Sequence, residues 1–347
     1  VSNTYGRCIE LTTQGGLLTS PLYTMSLSAA SGTGVTATAG ASHFVTTDVD
    51  RMIMGFPGNP GLCKITAYVS PTQATCDVLN TFTDITMLSQ EWRFGTITHD
   101  VLVAGNTVGG ATGRQFTSSP GTEGIGIGLD DGSSRIRVMG NKIYGHDTSA
   151  ISVNAGHANS ILANSVWGNG FDPGPTVPAL NVRRSQINVG QSGTLVDHNS
   201  IDCRGAGSYG IVAENTTTVP PTAAHGGVNS FTNNLIRGCS LGALVGNSND
   251  TASSNWYYEN GRNYDWMAQL SFSGTPASSD LTAQALDGAS RTDDPQVHPI
   301  TLQPLPDAVT ICTAGTYTPG LVGPDAGRFG VRTPIGAWPC RTTAVLN

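Results

Sequence analysis

A short motif recurs five times in the middle of the chain, and its spacing constrains the fold more than any other feature. Each copy has an apolar residue, two residues, asparagine, one residue, valine or isoleucine, one residue, and glycine or cysteine. The asparagines lie 35, 23, 35 and 35 residues apart. The copies are VAGNTVGG from Val103, VMGNKIYG from Val138, ILANSVWG from Ile161, VDHNSIDC from Val196 and FTNNLIRG from Phe231.

These spacings predict a solenoid of β-strands. One turn of a parallel β-helix takes about 20 residues or slightly more and longer turns carry loops, whereas helical repeats would show apolar residues three and four positions apart. The two apolar positions are five residues apart, so the chain must bend between them if both face the core. The asparagine lies at that bend. We therefore predict a buried, structural ladder of Asn106, Asn141, Asn164, Asn199 and Asn234, with a degenerate sixth copy near Tyr257–Asn260.

The segment before the repeats has a different pattern. Between residues 30 and 95, short alternating runs such as GVTATAG and CKITAYVS are separated by Gly, Pro and Asn turns, which favours antiparallel strands in a small sandwich or barrel. The predicted fold is thus all-β, a right-handed parallel β-helix preceded by a small antiparallel β module and closed by a C-terminal cap. The predicted divisions are 1–29 (N-terminal segment), 30–95 (module), 96–266 (β-helix) and 267–347 (β-helix end and cap).

Composition limits the partners. The chain has 44 glycines, 12% charged residues and a formal charge of −7, and Lys64 and Lys142 are its only lysines. Without a basic cluster we expect no nucleic-acid partner. No apolar run approaches the roughly 20 residues that cross a bilayer, so no membrane insertion is expected. No nucleotide or flavin motif is present, so we expect no cofactor; no metal ligands are assigned from the sequence, which leaves open whether a metal is bound.

The seven cysteines suggest three local disulfides, with Cys8 left over. The suggested pairs are Cys63 with Cys76, Cys203 with Cys239, and Cys312 with Cys340. The alternative is that these residues are free thiols in the core. No CxxC occurs, which argues against a structural zinc site.

The C-terminal stretch carries a resemblance to a known superfamily. From Asp294, an apolar-x-apolar pair, a proline-bearing segment, a GPDAG turn and a final IGAWP follow one another. This order is similar to the closing segment of right-handed β-helix proteins of the pectate-lyase-like superfamily, where it covers the open end of the core. Residues 30–95 resemble, more loosely, the small β modules of bacteriophage tail proteins. The superfamily includes lyases, hydrolases, epimerases, adhesins and phage tailspikes, but the Asn-Thr-Asp and Gly-His-Gly elements of polygalacturonases are absent here.

The candidate site is a wall of side chains that follow the ladder. The positions three after each asparagine should stack about 4.8 Å apart and face outward. Aromatic faces, carboxylates and guanidinium groups along one wall suit an extended sugar chain. We predict substrate binding by Tyr144, Trp167, Arg204 and Arg237, and, if the protein is an enzyme, catalysis by Asp202 with His146, Asp147 or Asp197. The alternative is an ordinary solvated face.

Three classes of function remain open at this stage. The first is a bacteriophage virion surface or tail protein that binds host envelope carbohydrate, trimeric by resemblance to tailspikes and in contact with other virion proteins. The second is a secreted polysaccharide lyase or glycoside hydrolase. The third is a structural capsid-decoration or filament subunit without a ligand. The first two place the protein on the virion surface or outside the cell. The leading β module and the lack of a signal pattern after Val1 favour the first.

Overall fold

A computed structural model describes most of the chain up to residue 266 and a few residues after it. The described residues are 7–12, 19–56, 59–110, 124–130, 132–153, 156–170, 185–190, 193–203, 209–213, 229–245, 250–261, 264–266, 290, 292, 294–297, 302–303 and 336–337. Almost all of the regular structure in them is β-strand.

Three parallel sheets form the β-helix, and successive coils pair in register. Sheet I contains β9 (Leu102–Ala104), β12 (Arg137–Met139), β15 (Ser160–Leu162), β18 (Leu195–Asp197), β21 (Ser230–Thr232) and β24 (Thr251–Ser253). Sheet II contains β10 (Thr107–Gly109), β13 (Lys142–Tyr144), β16 (Ser165–Trp167), β19 (Ser200–Asp202), β22 (Leu235–Arg237) and β25 (Trp256–Tyr258). Sheet III contains β1 (Arg7–Leu11), β11 (Ile125–Leu129), β14 (Ile151–Val153), β17 (Ser185–Val189), β20 (Tyr209–Ala213), β23 (Leu241–Val245) and β26 (Tyr264–Trp266).

The two apolar columns of the motif fill the core of this solenoid. Sheet I contributes Val103, Val138, Ile161, Val196 and Phe231, and sheet II contributes Val108, Ile143, Val166, Ile201 and Ile236. All are buried together with inward residues of β11, β14, β17, β20 and β23 in sheet III. Continuous burial of branched side chains is what stabilises stacked coils that could not bury an apolar face alone.

The bend between sheets I and II is made one residue earlier than the sequence pattern suggested. The residue before each ladder asparagine has a left-handed backbone: Gly105, Gly140, Ala163, His198, Asn233 and Ser254. The asparagines themselves are not among the residues with positive φ. The bend therefore comes from the preceding residue, and the asparagine side chain is left to bond along the stack.

The asparagines form a continuous hydrogen-bonded ladder. The Oδ1 atom of Asn199, for example, accepts the backbone N–H of Asn164 at 2.9 Å and its Nδ2 group at 3.0 Å. The Nδ2 group of Asn199 also reaches the carbonyl of Ile161 in the preceding coil, at 2.9 Å. The ladder continues past Asn234 to Asn255, so the degenerate sixth copy is a full rung with Tyr257 in the core column.

The antiparallel module is a seven-stranded sheet in the order β7-β2-β3-β6-β5-β4-β8. Its apolar core is separate from that of the solenoid and includes Trp92, Phe94 and Met25. One short 3-10 helix, Thr46–Asp48, precedes β4. The strands are β2 (Met25–Leu27), β3 (Val35–Ala39), β4 (Met52–Gly55), β5 (Leu62–Ser70), β6 (Gln73–Asn80), β7 (Thr86–Met87) and β8 (Trp92–Gly95). The prediction of a parallel β-helix with a small antiparallel module is confirmed.

The module interrupts the first coil. Strand β1 precedes the module in the chain yet pairs with β11 as the first strand of sheet III. The chain returns at Thr98, whose Oγ1 donates to the carbonyl of Thr12 at 2.6 Å, and then enters β9. The module therefore occupies the place of a loop between sheets III and I. Contacts with the next coils hold it, since Arg135 Nη1 donates to Leu79 O at 2.6 Å and a ring nitrogen of His157 lies 2.7 Å from Gly55 O.

Two of the three suggested disulfide pairs lie on described residues, and only one of these two pairs is bonded. Cys203 and Cys239 are bonded, joining two consecutive coils. The suggested pair of Cys63 and Cys76 was wrong, because both are buried thiols. Cys63 lies opposite Val78 and Cys76 opposite Ile65, so the two are diagonal neighbours. Such neighbours are about 7–8 Å apart, beyond the usual Cα separation of a disulfide.

Burial, and then a hydrogen bond to Cys76, raises the pKa of Cys63 well above its ordinary value. The thiol therefore stays protonated at neutral pH, which makes it a poor nucleophile. Cys312 and Cys340 lie outside the described residues.

Few residues of the predicted cap are described, and they lie along the wall of the last coils. Val297 and Leu302 pack on Leu235 and Trp256, which face outward from sheet II. The backbone N–H of Ala337 donates to Ser200 Oγ at 2.9 Å. These contacts cover part of the outer face of sheet II. Most of the segment 267–347, and with it the predicted closure of the core, lies outside the described residues.

Candidate functional site

The outward positions three after each ladder asparagine form one continuous column on sheet II, here called the outer column. Consecutive members are direct partners in the parallel register of neighbouring coils. Each follows a buried core residue, so strand alternation turns its side chain away from the core. The outer column is Gly109, Tyr144, Trp167, Asp202, Arg237 and Tyr258.

The two central aromatic rings stack on each other. The centroids of Tyr144 and Trp167 are 4.9 Å apart and their planes differ by 12°. A Cβ atom on Gly109 would come within 2.7 Å of the Tyr144 ring, so the missing side chain makes room for that ring. Tyr144 is nevertheless 37% exposed, the one aromatic among the exposed large hydrophobic side chains of the described residues. The pair thus presents a rigid aromatic surface, mainly through its edges, because each ring covers one face of the other.

The C-terminal part of the outer column is engaged in its own contacts. Arg237 donates through Nε and Nη2 to Glu259 Oε2, at 2.8 and 2.7 Å, and its guanidinium lies 5.6 Å from the centre of the Tyr258 ring. The Glu259 carboxylate is about half exposed, so this ion pair adds little stability but fixes the arginine in place. Sequence reasoning missed Tyr258 and Glu259, and the only signal for them was the degenerate sixth copy of the motif.

The carboxylate of the outer column is not open to solvent. Asp202 is 1% exposed although strand alternation directs it outward. It neighbours Trp167 in the register, and Ser200, two residues before it, accepts the N–H of Ala337. Arg204, the other predicted ligand of this coil, lies outside the described residues.

His146 faces the core side of the wall rather than the outer column. It is fully buried, its backbone N–H donates to Asn169 Oδ1 at 3.0 Å, and its Nε2 lies 3.4 Å from Val108 O. Burial lowers the pKa of His146 to about 4, so the ring is neutral at neutral pH. Two coils, about 10 Å along the axis, separate it from Asp202, which is beyond hydrogen-bond reach. Asp147, beside it in sequence, is also buried.

A second polar cluster surrounds Asp197 on sheet I. The Oδ1 atom of Asp197 accepts Thr232 Oγ1 and Asn233 Nδ2, both at 2.8 Å, and lies 2.9 Å from Nδ1 of His198. Burial by itself would raise the pKa of Asp197, but the hydrogen bonds and the charge of His198 outweigh it and lower that pKa. Both Asp197 and His198 are buried. The cluster joins two coils, and a polymer lying on sheet II would not reach it.

Neither a membrane-spanning helix nor a group of metal ligands is present among the residues that the structure describes. No helix there is long and apolar enough to cross a membrane. Nor do three or more His, Cys, Asp or Glu residues among the described positions group so as to hold a metal ion.

Comparison with known proteins gives one distant structural likeness. No protein-family model matches the chain, and no curated protein matches it. Among solved structures, the chain is similar to the tailspike protein gp49 from Pseudomonas phage LKA1, at 12% sequence identity and a TM-score of 0.32. The match covers 75% of this chain and 48% of the tailspike, so the chain spans about half of that protein's length. A likeness this distant carries no argument about function, which therefore depends on the side chains described above.

Proposed function

We propose that the chain is a surface protein of a bacteriophage virion and that its outer column binds host envelope carbohydrate. The observation that carries the proposal is the stacked pair of the exposed Tyr144 and the half-buried Trp167 on a rigid sheet. An aromatic pair fixed by its own stacking loses little conformational freedom when a ligand binds, which favours affinity. Ring edges and polar tips suit a sugar chain, whose surface alternates between C–H groups and hydroxyls.

The repeat of the wall supports a polymeric ligand. Equivalent positions recur in every coil, so a linear glycan that lies along the solenoid would meet one position of the outer column about every 4.8 Å. Lys142 is in the same strand as Tyr144 and is partly exposed. It supplies a cation for an acidic sugar. Asp202 and Arg237 continue the column, one buried and the other held by Glu259.

The virion setting and the trimer belong to the same proposal. The module before the β-helix resembles the small β modules of phage tail proteins, and the chain carries few charges to keep single copies apart. We expect three copies packed in parallel around a common axis. Multi-angle light scattering at micromolar concentration measures this, and a monodisperse monomer would contradict it.

The binding test removes the aromatic pair. In the Tyr144→Ala, Trp167→Ala double variant we expect retention on immobilised host envelope polysaccharide to fall about tenfold or more, since losing contacts worth about 1.4 kcal/mol costs that factor. Tyr68→Ala, a half-buried aromatic of the module, is the control and should bind like the parent. Equal retention of the parent and the double variant would show that the wall is not the glycan site.

A second candidate is a polysaccharide lyase or glycoside hydrolase. It is favoured by the carboxylate of Asp202, which lies directly beside Trp167 in the register, because an acid or base for glycan cleavage must lie next to the bound sugar. The test is release of reducing or unsaturated ends by the parent and its loss in Asp202→Asn. If the parent binds without release, the wall is a binding surface. If it neither binds nor releases, only the structural role remains.

A further inference from the structure

Residues from the C-terminal part of the chain lie across the outer face of sheet II. Val297 and Leu302 pack on Leu235 and Trp256, which are the first outward residues of β22 and β25. The outer column runs along the same face, because its members are the third residues of the same strands. Residues 294–297, 302, 336 and 337 are here called the strap. The strap and the proposed glycan site therefore share one surface.

The strap contacts three consecutive strands of sheet II. At β25, burial and then the charge of Asp294 raise the pKa of Tyr258, which places that carboxylate near the Tyr258 ring. At β22 the strap packs on Leu235, and at β19 the N–H of Ala337 donates to Ser200 Oγ at 2.9 Å. The strap thus reaches from β25 to β19, which is the strand that pairs with β16 of the aromatic wall.

Gly336 fits closely onto this face. Its N–H donates to the carbonyl of Asn233 at 2.8 Å. Its φ is +99°, and a Cβ atom there would lie 2.7 Å from Ser200 Oγ and 3.3 Å from Leu235 Cβ. Both the backbone conformation and the close approach require glycine. Ala337, the next residue, is 0% exposed, so this part of the strap is packed into the protein.

The surface beneath the strap is closed to solvent. Ser200, Leu235 and Trp256 are 0% exposed, and Asp202 is 1% exposed although strand alternation directs it outward. Side chains that are closed in this way offer no surface to a ligand of the folded protein. The surface that a glycan can reach on this face therefore ends at β19.

The accessible part of the face covers the first three strands of sheet II. Thr107 is exposed, Lys142 is partly exposed, Tyr144 is 37% exposed and Trp167 is half-buried. Three strands span two steps of about 4.8 Å, or about 10 Å along the axis. These four residues are here called the open wall. It has room for a short oligosaccharide.

The long direction of the open wall points at the strap. The stacked rings of Tyr144 and Trp167 place their accessible edges in a line that runs along the solenoid. The next position in that line is Asp202, in the strand that Ala337 contacts. A chain that follows the ring edges beyond Trp167 would overlap the strap, whereas a chain at right angles would meet only one strand of three residues.

We propose that the open wall binds the terminal sugars of a glycan chain and that the strap is the stop against which the chain end lies. This inference rests on the proposed function and adds that the ligand is a chain end rather than the interior of a long chain. Gly336 acts as a positioning residue, because it holds the strap on Ser200 and Leu235 without lying in the open wall. The selectivity is steric, since an internal segment would have to continue through the strap.

The experiment compares host envelope polysaccharide at two chain lengths. Partial hydrolysis and size exclusion give fractions that differ about tenfold in length, and isothermal titration calorimetry gives the number of protein copies bound per chain. End binding predicts the same number of copies per chain for both fractions. Binding to internal segments predicts about ten times more copies on the longer chains. A number that rises with length for the parent would overturn the proposal.

Two matched glycine variants test the strap. Gly336→Val should push the strap off Ser200 and Leu235, so that amide exchange at Ala337 speeds up and the number of copies per chain rises with length. Gly32→Val is the control, because Gly32 has a similar φ of +106° but nothing within 4 Å of an added Cβ. It should bind like the parent. Unchanged exchange at Ala337, a constant number in Gly336→Val, or the same change in both variants would overturn the role of the strap.

The Tyr144→Ala, Trp167→Ala double variant separates the two proposals. If it binds the polysaccharide as well as the parent does, the open wall is not the glycan site and the proposed function fails. If it loses binding while the parent binds more copies on longer chains, the proposed function stands and the end-binding inference alone is wrong.

Discussion

Replacing Asn199 by leucine tests whether the ladder holds the coils together. The substitution keeps the approximate size of the side chain but removes an acceptor and a donor from the core. The N–H of Asn164 loses its acceptor and the carbonyl of Ile161 loses its donor, and both rungs are fully buried. An orphaned buried backbone group costs about 1–3 kcal/mol, so the free energy of unfolding should fall by about 2–6 kcal/mol.

Asn106→Leu is the matched control, because it changes the same residue type at the end of the ladder. Its Nδ2 group serves Ala104 O at an exposed edge, and Asn141 Oδ1 keeps the backbone N–H of Asn106. We expect a loss of about 1 kcal/mol or less. Urea unfolding followed by far-UV circular dichroism compares the two variants with the parent. Equal midpoints for Asn199→Leu and the parent, or equal losses in the two variants, would refute the ladder argument.

The other predictions concern pH and redox state. Burial lowers the pKa of His146 from an ordinary value of 6.5 to about 4. The unfolded chain therefore binds the proton more tightly than the folded chain. As the pH falls from about 6.5 to 4, the free energy of unfolding should decrease by about 3 kcal/mol in total. His146→Gln should flatten that part of the stability profile in urea titrations, and an unchanged slope would count against a neutral buried ring. The pKa of Asp197 is lower in the folded than in the unfolded chain, so this group stabilises the fold at any pH above its unfolded pKa. That stabilisation is lost as the pH falls through the folded pKa. Reducing the Cys203–Cys239 disulfide, which joins residues 36 apart in sequence, should lower the free energy of unfolding by up to about 4 kcal/mol. The stability of a Cys203→Ala, Cys239→Ala variant should not change with reductant. If the parent's stability does not change either, the disulfide adds no stability.

The sequence alone determined the solenoid. A motif that repeats side chain for side chain must place equivalent residues in stacked coils, and the five-residue separation of Val103 and Val108 requires a bend between them. The columns, the ladder and the outward direction of Tyr144 and Trp167 follow from that periodicity. The pair Cys203 and Cys239 follows too, because residues about one coil apart become neighbours in such a stack.

Tertiary structure decided what periodicity does not encode. Strand alternation directs Asp202 outward, but its exposure to solvent depends on what packs over it. Residues distant in sequence contact this strand, since Ala337 donates its N–H to Ser200. The return of β1 to sheet III joins segments on either side of the module, a pairing of high sequence separation with no local signal. The mutual stacking of Tyr144 and Trp167 is likewise a matter of ring orientation. A repeat fixes which side chains are neighbours, whereas burial, ring angles and long-range closure depend on the packing of the whole chain.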